Sequence, residues 1–99
     1  MQSYYVYVIY SESTDAFYIG QSVDIEIRLH QHNVHENEHS HTSIADDWVL
    51  FYYITCECRR QAIQIENHIK HMKSRKYLEN LKKHPEISSK LKAKYACTK

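Results

Sequence analysis

The sequence predicts an α+β domain, a small three-stranded antiparallel sheet packed with helices in the order β-β-α-β-α-α-α. Three observations predict it. Two short aromatic-rich runs near the N-terminus are separated by a polar turn, a third apolar run covers 48–55, and apolar residues recur at helical spacing after residue 59. The 99 residues make one domain. They are 42% hydrophobic and 25% charged, the balance of an ordinary globular protein. No stretch approaches the roughly 20 apolar residues of a membrane span. The first residues, MQSYYVYVIYS, carry no early Lys or Arg and no small-residue cleavage site, so a signal peptide is not expected.

The elements follow in order. Residues 4–10, YYVYVIY, are aromatic and β-branched throughout and predict a strand buried on much of both faces. After the polar turn 11–16, residues 17–21 predict a second strand close enough to pair with the first as a hairpin. The lone Gly20 ends that strand, where glycine suggests a bend or a close backbone approach. Asp24 is an expected N-cap for a helix over about 24–33, with Ile25 and Leu29 toward the core and Arg28 and His32 on another stripe. Residues 34–47 are polar, acidic and histidine-rich without periodicity and read as a loop. The run 48–55, WVLFYYIT, reads as a central strand. Ala62, Ile65, Ile69 and Met72 mark the core stripe of a helix over 59–72. Ser74 caps a third helix through Lys83, with Tyr77, Leu78 and Leu81 as its apolar contacts, and Pro85 fits the first turn of a last helix holding Ile87, Leu91 and Tyr95.

Cys56, Cys58 and Cys97 are odd in number and lack a framework spacing, so free thiols in a reducing cytoplasm are expected. The net charge of +1 hides an asymmetry. Residues 1–58 hold one basic residue, Arg28, against nine acidic ones, while residues 59–99 hold twelve Lys or Arg against three Glu. A basic half can meet a polyanion, although Lys-rich helices also have simply solvated faces.

These residues also carry a family resemblance. Tyr5-Val6-Tyr7 stands where the GIY-YIG nuclease family has its first motif, lacking the usual glycine, and Tyr18-Ile19-Gly20 matches the second motif letter for letter. Arg28 follows Tyr18 by ten and His32 follows by four more, where family members carry an arginine and many a histidine. Glu66 stands on the helix after the third strand, where the family keeps a metal-binding glutamate. The segment 66–81 resembles small bacterial stand-alone members, relatives of the N-terminal nuclease domain of the excision-repair nuclease subunit. The likeness covers about 4–82 within a single domain 1–99, leaving 84–96 as a C-terminal helical extension. The acidic loop 34–47 departs from those relatives, which place glycines and lysines there. Asn80 is the only nearby candidate for an asparagine that many members carry.

The resemblance implies a metal-dependent endonuclease acting on nucleic acid, DNA foremost, in repair or recombination. Its catalytic set would be Tyr7, Tyr18, Arg28, His32 and Glu66, with one Mg²⁺ or Mn²⁺ at Glu66. It also takes Tyr7 as general base toward the water.

The residues themselves admit that chemistry. Phosphodiester hydrolysis needs an activated water, charge stabilisation on phosphoryl oxygens and help for the leaving alkoxide. Helical arithmetic places Glu66 about 60° from Ile69, at the border of the core stripe. There it can hold a hard divalent cation that keeps several waters, or it can pair with Lys70 at i+4. Arg28 has planar donors suited to phosphate, with an ion pair to Asp24 as its simpler role. A base role for Tyr7 requires a cation, Arg28 or the metal, to lower a pKa near 10. A His32 base with Tyr7 orienting the water also fits. Lys70, Lys73, Arg75 and Lys76, with Lys82 and Lys83, are assigned to sequence-independent backbone contacts. His30, His35, His39 and His41 read as loop residues open to adventitious transition metals. Two other readings stay open: a non-catalytic nucleic-acid-binding module of the same fold, and an interaction or metal-buffering protein that uses the histidine loop.

Overall fold

In the computed structural model, which describes residues 2–35 and 44–97, the first strand is the middle of the sheet. β1 (Tyr4–Ser11) pairs antiparallel with β2 (Ala16–Ser22) on one side and with β3 (Trp48–Cys56) on the other, giving the order β2-β1-β3. The helices are α1 (Ile25–Asn33), α2 (Arg59–Met72), α3 (Arg75–Lys83) and α4 (Glu86–Lys94). The predicted element order and α+β class both hold.

One strand assignment changes. The run at 48–55, read as central, is an edge strand among the described residues, and Val49, Leu50 and Tyr53 expose large parts of their side chains. β1 takes the central place, and for that reason Val6, Tyr7, Val8 and Ile9 are all 2% exposed or less. A register shift between Val8 and Ile9 bends its pairing with β3.

Alternation along β1 divides the interior in two. Val6 and Val8 face α2, α3 and α4 in a core with Ile54, Cys56, Ala62, Ile65, Ile69, Leu78, Leu81 and Leu91. Tyr7 and Ile9 face the other way, with Trp48 and Ala45, under Ile25 and Leu29 of α1. The helix starts are set locally. Asp24 caps α1 by accepting from the Ile27 amide at 3.1 Å, and Ser74 caps α3 by accepting from the Tyr77 amide at 3.1 Å. The end of α1 is tied to β3 by Asn33, whose side chain donates to the Trp48 carbonyl and accepts from the Trp48 amide.

Three further expectations are corrected. Met72 is the last residue of α2 and is 44% exposed rather than part of the core stripe. His30 belongs to α1 rather than to the loop. Cys58 and Cys97 form a disulfide across a separation of 39 residues, leaving Cys56 as the free, buried thiol. Such links persist where thiols are oxidised, so the reducing compartment inferred from free thiols loses that support. His39, His41 and the middle of the expected loop lie outside the described residues. No described helix is long and apolar enough to cross a membrane.

Candidate active site

Tyr7 stands directly opposite Gly20 in the β1–β2 ladder. Its ring lies across the glycine. A Cβ on residue 20 would come within 2.5 Å of the Tyr7 hydroxyl, 2.6 Å of its Cζ and 3.2 Å of Cε2 of Tyr18. Gly20 has no positive φ. The glycine is therefore required for room, which makes good the close approach expected of it.

Helix α1 brings His32 onto this ring from above the sheet. Its Nε2 lies 2.9 Å from the Tyr7 hydroxyl, and its ring centroid is 5.1 Å from that of Tyr18 and 5.9 Å from that of Tyr7. The imidazole is only 5% exposed. Burial, reinforced by the Arg28 charge, pushes its pKa down to about 4. His32 is therefore neutral at pH 7.

Arg28 sits one helical turn before His32 and is half-buried. Its guanidinium donates to Gln31 Oε1 at 2.9 Å. The alternative partner, Asp24, is used instead as the helix cap. Gln31 carried no signal in the sequence, since a glutamine on a helix is ordinary. Arg28 also faces the Tyr7 phenol and pulls its pKa down, but burial is the larger influence and the phenol is pushed up to about 12. The expected lowering by a cation is thus outweighed: the Arg28 charge alone does not offset removal of the phenol from water.

Glu66 arrives from the opposite layer, on α2. Its side chain is 15% exposed, and its charge is among those that raise the Tyr7 pKa, along with that of Tyr18. Arg28, Tyr18 and, most weakly, Glu66 thus influence the Tyr7 phenol electrostatically, and His32 hydrogen-bonds to it. The Glu66 carboxylate is held by Lys70 Nζ at 2.6 Å, the i+4 pair that its position allowed. A single sheltered carboxylate fits a hard divalent cation that keeps most of its waters, provided Lys70 yields. Among the described residues no group of three or more His, Cys, Asp or Glu could hold a metal by itself.

The expected backbone-contact residues are dispersed. Lys73 is the left-handed C-cap of α2 and is exposed. Arg75 is engaged: it binds Asp15 Oδ1 at 2.8 Å and lies over the Phe17 ring at 5.1 Å. Lys76 and Asn80 line a separate groove with Phe51, Lys82 and Lys83. Asn80 is not among the groups acting on Tyr7.

Tyr7, Tyr18, Arg28 and the neutral His32 lie together on the α1 side of the sheet, and Glu66 adds a weaker electrostatic influence from α2, a set whose chemistry suits an anionic ester and a hard cation. The comparison with known families agrees with this. The family model described as the GIY-YIG catalytic domain matches residues 3–80, and the chain belongs to the GIY-YIG family, a family of nucleases. No curated protein and no solved structure matches the chain.

Proposed function

We propose that the chain is a metal-dependent endonuclease that hydrolyses DNA phosphodiester bonds, selecting its sites by DNA structure in repair or recombination. The observation that carries the reading is the hydrogen bond between Tyr7 and the neutral, buried His32, set beside Arg28 and within the field of Glu66. The repair setting is part of the proposal and rests only on the resemblance read from the sequence over residues 66–81. Nothing in the sequence resembles a base-reading module, which favours recognition of shape and backbone.

The residues divide the work as follows. Glu66 would hold one Mg²⁺ or Mn²⁺, which supplies charge neutralisation at the phosphate and a lowered pKa for water. At neutral pH the Tyr7 O–H is intact, and in the His32 tautomer with a bare Nε2 it donates to that nitrogen. The lone pairs of its oxygen are then available to accept a hydrogen bond from the attacking water. As the water oxygen bonds to phosphorus, its proton passes to the Tyr7 oxygen and the Tyr7 proton moves to His32 Nε2. The P–O bond to the departing alkoxide breaks, the proton held only briefly on His32, whose proton affinity is low, passes through solvent to that alkoxide, and Arg28 neutralises charge on the non-bridging oxygens. Tyr18 packs against His32 and helps fix that ring.

The test is incubation of wild type, Arg28→Ala and Glu66→Ala with branched, nicked and plain DNA in Mg²⁺ or Mn²⁺. Wild type should cut, and each variant should lose at least about a hundredfold in rate. Equal product from all three proteins would remove the enzyme reading. Binding by wild type without any product would establish the non-catalytic module instead.

A further inference from the structure

On the far side of α2 from Glu66, a second cluster of donors lies around a cleft of about 320 Å³. His68, His71 and Met72 fall within one arc of about 100° on the helix, and Glu66 lies about 160° around from His68. All three line the cleft, with Asn67 and Tyr95.

Both imidazoles are anchored through Nδ1. His71 Nδ1 is 2.7 Å from the Asn67 carbonyl, and a carbonyl only accepts, so this nitrogen carries the proton and Nε2 keeps its lone pair. His68 Nδ1 is 2.9 Å from the Tyr95 hydroxyl, which can accept from it in the same way. Hydrogen bonding at one ring nitrogen is how proteins orient a histidine whose other nitrogen binds a metal. Met72, turned out of the core, adds a thioether one helical turn from His68.

We propose that His68, His71 and Met72 form a second metal site that takes one copper ion through two Nε2 atoms and a sulfur. Imidazole suits copper, zinc and nickel, and within that group a thioether is selective for Cu(I) and serves Cu²⁺ as a weak further ligand beside the two imidazoles. No carboxylate lines the cleft, which sets it apart from the hard-cation position at Glu66. Tyr95 is the positioning residue for His68. The nearby Cys58–Cys97 link holds the chain just beyond Tyr95 to the start of α2.

The test is NMR of the oxidised full chain during titration with Cu²⁺ alone, from a tenth of an equivalent to one equivalent. The paramagnetic ion should first broaden the imidazole signals of His68 and His71 and the Met72 methyl, ahead of the other six histidines. The effect should saturate at one equivalent. His71→Ala should weaken binding at least about tenfold, and Tyr95→Phe should weaken it about tenfold while leaving the ligands in place. His71 and Met72 are exposed, so their replacement leaves the fold intact. Earlier broadening of His30, His35, His39 and His41, or unchanged affinity in both His71→Ala and Met72→Leu, overturns the site.

Discussion

The two faces of the sheet use the same strand for opposite ends. On the α2–α4 face, Val6 and Val8 meet Ile65, Leu81 and Leu91, and the contact is aliphatic throughout. On the α1 face, Tyr7 is as deeply buried as they are, yet it meets His32 and Tyr18 and feels two full charges. On the second face the buried strand residue is in direct contact with a titratable imidazole, and on the first Val6 and Val8 are not. Burial stabilises the protein in one place and shifts proton affinities in the other, from alternate residues of one segment.

The largest effect that should separate the faces comes from the aliphatic side. Leu81 is fully buried, so Leu81→Ala should cost about 2–5 kcal/mol of stability by lost transfer energy and cavity formation. Denaturant titration would measure it, and that loss should be the same at pH 5 and pH 7. Cleavage by the folded fraction should be unchanged.

The α1 face should show the converse. His32 titrates near 6.5 when unfolded and near 4 when folded. Between those values the unfolded chain binds the proton and the native protein does not. The His32 contribution is therefore complete above pH 6.5 and lost as the pH falls toward 4, by about 3 kcal/mol in total. Chemical denaturation across that range should show this slope, and His32→Gln should flatten it. A wild-type profile that is already flat would mean that the imidazole is not sheltered as described.

The smallest effect concerns the boundary between the faces. Lys70 holds the Glu66 carboxylate, and its side chain is 45% exposed. Lys70→Met should tighten Mn²⁺ binding about two- to fivefold, in keeping with the modest worth of a partly exposed ion pair. Calorimetry without nucleic acid would read this directly. A weaker affinity would mean that Lys70 orients Glu66 for the ion rather than competing with it.

Much of this was legible in the sequence, and the reasons are specific. The bounds of α2, 59–72, follow from apolar spacing, and the α1 and α3 starts follow from Asp24 and Ser74, whose caps are local chemistry. The placement of β3 was not legible. An uncharged run such as WVLFYYIT reads as central, and nothing within it reveals that β1 has two neighbours and β3 one. Met72 obeyed the helical period but stands at the very end of α2, where its side chain is 44% exposed. The Cys58–Cys97 link has no local signature across 39 residues. At the site, the residue types were readable, whereas the proton affinities were not. Whether Arg28 or burial governs the Tyr7 phenol depends on depth, and depth is a property of the fold.

Gly20 shows what a short motif can encode. Its backbone is one that any residue could adopt, so its place is not explained by a turn that only glycine can make. What the position specifies is an empty volume the size of a methyl group, into which a phenol from the adjacent strand is laid. The letter G beside Tyr18-Ile19 is thus a statement about Tyr7, thirteen residues away. Filling that volume would displace the Tyr7 hydroxyl while leaving Tyr7, Tyr18, Arg28, His32 and Glu66 themselves unchanged.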